Sequence, residues 1–173
     1  MKTFHGHSDA IKTIAVNYKR PFKMASTSED GTLKIWSLDD YHYDEVDDVD
    51  SVENEDHFQT HFDTFESTMT ITNPRGSLSS VCWGHDSDIL LSHTNSSYIV
   101  VYNVGGAVER IEKEFKVEDK SITCSILSDD DSLIICGQES EQKGKKKYWI
   151  NVYSMRSSDV IMKFTESAPI LML

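Results

Sequence analysis

Residues 24–37 read Met24-Ala25-Ser26-Thr27-Ser28-Glu29-Asp30-Gly31-Thr32-Leu33-Lys34-Ile35-Trp36-Ser37, and this stretch decides the architecture. Two short runs of small, β-branched and apolar residues flank Asp30-Gly31. A glycine there supplies the positive φ that a tight hairpin needs, so the pattern predicts two antiparallel strands. Upstream, Ala10 to Val16 alternates apolar with polar residues and is followed by turn residues at Asn17 to Pro21. It predicts a third strand paired with the other two.

The same layout recurs twice. Leu78 to Trp83, Ile89 to His93 and Tyr98 to Val104 are separated by turns at residues 84–88 and at Asn95-Ser96. The ten-residue offset from Ser26 to Trp36 is repeated from Ser92 to Tyr102. The third copy runs Ile122 to Leu127, Leu133 to Gly137 and Tyr148 to Ser154, with seven extra residues in a polar hairpin from Glu139 to Lys147. A fourth strand-like run follows each triplet, at Thr68 to Ile71, Ile111 to Val117 and Val160 to Thr165. A repeat at this spacing predicts an all-β chain of three four-stranded antiparallel meanders. Their bounds are 10–37 plus 67–71, then 78–117, then 122–165, with an acidic insert at 39–66. Glu109 to Phe115 has helical propensity, but its place in the repeat assigns it to a strand.

Gly6-His7 followed by residues 24–36 resembles the signature of the WD-repeat β-propeller family, with Ser37 where an Asp is commonest. The resemblance implies a propeller fragment in which each repeat supplies the outer strand of one blade and three inner strands of the next. It also implies a structural hydrogen-bond set: Trp36 to Ser26, Ser26 to His7, His7 to Asp30. The matching positions in the second repeat are Ser92, Ser96 and Tyr102 with Pro74, and in the third Cys136, Ser140 and Tyr153 with Glu118. Those two repeats are expected to depend more on core packing than on a polar clamp. Serine, histidine and aspartate also run acyl transfer, but no G-x-S-x-G elbow is present, so a catalytic role is not expected. Lys2 to Phe4 reads as an outer strand with no neighbour, and residues 170–173 as the start of a fourth blade. The expectation is the N-terminal part of a longer propeller.

The net charge of −12 is local, since Asp39 to Asp56 holds ten acids and no Lys or Arg. Nucleic-acid binding needs clustered cations, so no direct nucleic-acid contact is expected. Cys82, Cys124 and Cys136 are odd in number and set in apolar runs, which reads as reduced thiols and an intracellular protein, cytoplasmic or nuclear. No run of 18 apolar residues and no signal-peptide pattern is present, so neither a membrane partner nor export is expected. His5, His7, His42, His57, His61 and Asp63 are of the types that ligate metals. Without cysteine partners or an H-E-x-x-H pattern they predict no metal, and no cofactor is implied.

The reading that follows is a non-catalytic protein-interaction scaffold, a subunit of a multiprotein complex. Its top face would carry Asp9, Glu29, Arg75, Asn95, Asp119, Lys145 and Lys146. The bland account of the lysine-rich hairpin is that it protects a sheet edge. A second reading makes the acidic insert, with Tyr41, Tyr43, Phe58, Phe62 and Phe65 interleaved, a docking segment for basic proteins such as histones or ribosomal proteins. A hydrolase or metal site stands third. Replacing Asp40 to Phe62 by a short Gly-Ser linker should leave circular dichroism and melting temperature nearly unchanged, because closure entropy varies slowly with loop length. Cooperative loss of structure in that variant would refute the loop reading.

Overall fold

Four strands with polar turns between them can hide both faces only against other sheets, and the chain solves this by repetition. The computed structural model describes residues 3–17, 19, 22–38, 64–73, 75–85, 88–94, 97–106, 108, 110–117 and 121–171. Among them the strands are β1 (Thr3–Phe4), β2 (Ile11–Asn17), β3 (Lys23–Ser28), β4 (Thr32–Ser37), β5 (Thr64–Phe65), β6 (Met69–Thr72) and β7 (Leu78–Trp83). They continue with β8 (Ile89–Thr94), β9 (Tyr98–Asn103), β10 (Arg110–Lys116), β11 (Ser121–Leu127), β12 (Leu133–Gln142), β13 (Lys145–Ser154) and β14 (Val160–Glu166). Three four-stranded sheets result, ordered β2-β3-β4-β6, β7-β8-β9-β10 and β11-β12-β13-β14. Every neighbouring pair within them is antiparallel. The described residues are thus all-β, and none forms a helix long and apolar enough to cross a membrane.

The repeat extends to a local irregularity. Pairing of the first strand with the second slips between Ile11 and Thr13, between Leu78 and Ser80, and between Ile122 and Cys124. A bulge at one place in all three sheets twists each first strand in the same way. First strands then pack on one another: β2 lies against β7, and β11 against β7 and β8. Ala25, Leu33, Ile35, Leu78, Val81 and Tyr102 fill the space between the first two sheets. Leu91, Ile99, Val101, Ile122, Ile134 and Tyr153 fill that between the second and third. Polar bonds cross the same boundaries, from Thr13 Oγ1 to the Ser79 carbonyl (2.9 Å) and from Trp83 Nε1 to the Ala15 carbonyl (3.0 Å).

Several expectations need correcting. The strand near residues 2–4 is not without a neighbour: β1 pairs in parallel with β5, Thr3 opposite Thr64 and Phe4 opposite Phe65. The end of the region read as an acidic loop to residue 66 is therefore a strand. The reason is aromatic, since the Phe4 ring lies 5.2 Å from that of Phe65 and 5.4 Å, edge-on, from that of Trp36. The rest of the insert, 39–63, lies outside the described residues. The polar segment at 139–147, by contrast, is the hairpin expected of it, with β12 and β13 in register out to Gln142 and Lys145. Ile170 and Leu171 form no strand; the Ile170 carbonyl accepts a bond from Thr123 Oγ1 at 2.5 Å. Residues 172 and 173 lie outside the described residues.

His93 on β8 is 1% exposed, and its Nδ1 lies 2.7 Å from Ser125 Oγ on β11, joining the second sheet to the third. Burial pushes its pKa from the ordinary 6.5 down to about 4. The unfolded chain therefore binds a proton near pH 6.5 that the folded chain refuses until about 4. Stability should be intact above pH 6.5 and fall by about 3 kcal/mol as the pH drops to 4. Urea titrations across that window check this, and His93→Gln should flatten the slope; an unchanged slope in the variant would assign it to other groups.

Candidate functional site

In each sheet the start of the first strand, the adjoining ends of the second and third and the end of the fourth lie at one end. We call this the upper end. In the first sheet it holds Gly6 to Ala10 and the hairpin at Glu29 to Gly31, where Gly31 has φ 82°. A buried polar chain begins there. Trp36 Nε1 donates to Ser26 Oγ at 2.9 Å, His7 Nε2 lies 2.7 Å from the same oxygen, and His7 Nδ1 lies 2.9 Å from Asp30 Oδ2. The carboxylate can only accept, so the network assigns the Nδ1 proton to His7 and leaves Nε2 to accept from Ser26.

Asp30 is the hub of that chain. Thr32 Oγ1 and the Thr32 amide donate to its Oδ1 at 2.6 and 2.8 Å, and the Ser8 amide to its Oδ2 at 3.0 Å. Burial works to raise its pKa, but the hydrogen bonds from Thr32, His7 and the two amides outweigh it, and the carboxyl is held well below its ordinary 3.8. The structure thus brings His7, Ser26, Asp30 and Trp36 together in one connected set. Its chemistry is that of a clamp: Ser26 is 2% exposed, and its oxygen is already engaged by Trp36 and His7.

The positions matching Trp36 in the other sheets are treated differently. Tyr102 is 1% exposed and its hydroxyl has no partner among the described residues. Tyr153 is in a buried polar set that the sequence reading missed: its hydroxyl accepts from Gln138 Nε2 at 2.6 Å, and Asn151 Nδ2 donates to Gln138 Oε1 at 2.7 Å. The third sheet therefore has a polar clamp after all, made from Gln138 and Asn151 in place of Cys136 and Ser140. Gln138 and Asn151 are 13 residues apart, and only the long register of β12 with β13 brings them near each other.

Of the surface residues named from the sequence, Asp9, Glu29, Arg75, Lys145 and Lys146 all lie at the upper end; Asn95 and Asp119 fall outside the described residues. Several are already engaged. Glu29 forms an ion pair with Lys12, and Asp9 Oδ1 accepts from the Ala10 amide at 2.7 Å. Arg75 Nε donates to Glu114 Oε1 at 2.6 Å and its guanidinium lies 4.6 Å from the centre of the Tyr98 ring. Lys146 Nζ is 3.6 Å from Glu139 Oε2. Lys145 has no ion pair among the described residues. Beside the His7 set, Phe4, Ile11, Ile14, Met24 and Trp36 line a cleft of about 450 Å³. Among the described residues no cluster of His, Cys, Asp and Glu is spaced to hold a metal ion.

Repeated four-stranded sheets stacked through their first strands define the β-propeller class. Residues 1–37 match the family model described as WD domain, G-beta repeat. Among solved structures, the C-terminal WD40 domain of Sif2 superposes with a TM-score of 0.65 at 16% identity, covering 98% of this chain and 41% of that one. The chain thus spans about two fifths of that domain's length. No curated protein sequence matches it. Residues 1–37 thus resemble a WD repeat, and the described residues have the fold of part of a WD-repeat propeller.

The clamp generates a quantitative expectation. Removing one partner leaves buried groups unsatisfied, so Asp30→Ala and Trp36→Phe should each cost about 1–3 kcal/mol. In a double-mutant cycle their effects should fall short of additive by more than about 0.5 kcal/mol. Strict additivity by chemical denaturation would show that the two side chains do not act as one set.

Proposed function

We propose that the chain is a non-catalytic protein-interaction module that presents its upper end to partner proteins within a larger assembly. The observation that carries this is a contrast between inside and outside. Among the described residues, the Ser26-His7-Asp30 constellation is sealed in the clamp, whereas the upper end exposes charged side chains such as Asp9, Glu29, Arg75 and Lys145. A nucleophile would need access that Ser26 lacks. The Cys82 and Cys136 thiols offer no substitute, because burial pushes Cys82 up to about 11 and raises Cys136 above its ordinary 9.0. WD-repeat domains generally mediate protein–protein contacts, which supports the reading at the level of the fold. An intracellular setting, cytoplasmic or nuclear, fits three unpaired cysteines.

A photo-reactive residue placed at Asp9, at Glu29 or at Lys145 should yield an adduct of the same size in cells. The same probe at Asp130 or Ser157, on turns at the opposite end, should yield none. Adducts of equal intensity from both ends would overturn the proposal.

A further inference from the structure

The hairpin of the third sheet extends beyond its neighbours. β11 begins pairing at Ser121 opposite Glu139, and β14 stops at Glu166 opposite Tyr148. Residues 140–147 therefore form a free two-stranded ribbon, closed by Lys143 (φ 52°) and Gly144 (φ 72°). Three cross-strand pairs at about 3.4 Å each carry it roughly 10 Å past the sheet.

The two faces of this ribbon differ. Directly paired residues share a face, so Glu139, Glu141, Lys146 and Tyr148 lie on one side and Ser140, Gln142, Lys145 and Lys147 on the other. The first side is compensated, with Lys146 bridged to Glu139. The second carries no carboxylate. Lys145 and Lys147 are exposed and have no ion pair among the described residues. Further down that face Trp149 is half-buried, with Lys163 Nζ 5.3 Å from the centre of its ring. The cationic face thus continues onto the sheet.

Beyond Tyr148 the outer backbone edge of β13 has no strand beside it among the described residues. Lysines on such an edge repel neutral and basic strands, which protects against aggregation. The same charges favour one class of strand. We propose that residues 145–147 accept an extended, carboxylate-rich peptide as an added strand continuing the line of β14, with acids at alternate residues facing Lys145 and Lys147. This rests on the upper end being the partner-binding end and names the chemistry of one partner segment. A nucleic acid is disfavoured because the chain as a whole carries a net charge of −12.

The test is fluorescence anisotropy with the full 173-residue chain and a labelled twelve-residue peptide alternating Glu and Thr at low salt. Binding should weaken about tenfold in Lys145→Gln/Lys147→Gln, change less than about twofold in Lys146→Gln, and disappear with a Gln-Thr peptide. N-methylation at alternate peptide residues should also abolish it, as strand addition requires the backbone donors. Equal losses in the two lysine variants, binding of the N-methylated peptide, or tighter binding of a single-stranded oligonucleotide would each overturn the proposal. This titration reads only the ribbon. It can fail while cross-linking at Asp9 and Glu29 still succeeds, and the converse result would sink the broader reading alone.

Discussion

Each sheet has two apolar faces and no helix among the described residues to cover either, so only another sheet can bury them. That constraint orders the molecule. The second sheet is sandwiched, with Val81, Val100 and Tyr102 turned to the first sheet and Leu91, Ile99 and Val101 to the third. At the two ends of the stack the requirement is met less fully. Ile11 and Ile14 on β2 are more than half exposed, at 54% and 53%, and Met162 and Phe164 on β14 are 53% and 50% exposed. The β1–β5 pair partly covers the first of these faces, placing Phe4 over Trp36.

Polar side chains then make the stacking specific. Apolar contact between twisted sheets tolerates sliding, whereas a buried hydroxyl or imidazole holds only in one register. The chain uses a different device at each level. His7, Ser26, Asp30 and Trp36 lock the hairpin and entry segment of the first sheet. The His93–Ser125 bond ties the second sheet to the third, and Gln138, Asn151 and Tyr153 brace the two longest strands. This variety explains why the second and third repeats look degenerate as sequence while keeping the same strand order and the same bulge.

What was legible followed from period and turn chemistry. Alternation between Ala10 and Val16 and the glycine at position 31 are local signals, and they mark strands without reference to anything distant. The His7 set was nameable only through resemblance, because spacing alone does not say which serine an indole will reach. Two features gave no local signal. Thr64-Phe65 is too short to alternate, and its pairing with β1 depends on ring contacts across sixty residues of chain. Gln138 falls just past the run ending at Gly137 and Asn151 is a lone polar residue in the run Tyr148 to Ser154, so nothing local pairs them until the register of β12 and β13 is known. The charge asymmetry of the ribbon was hidden for the same reason: four lysines near a turn read as one patch, whereas pairing sets Lys145 and Lys147 on one face and Lys146 on the other, with Lys143 in the turn.

The edge-on packing of Phe4 against Trp36 has a spectroscopic consequence. The three tryptophans sit at three boundaries: Trp36 beneath the N-terminal strand, Trp83 between the first two sheets, and Trp149 at the base of the ribbon. Indole emission depends on local polarity and on neighbouring groups. With the other two replaced by phenylalanine, Trp36 becomes an optical reporter of whether the first few residues are seated. Undocking of β1, invisible to far-ultraviolet measurements because only two residues are involved, would register as a red shift in its fluorescence.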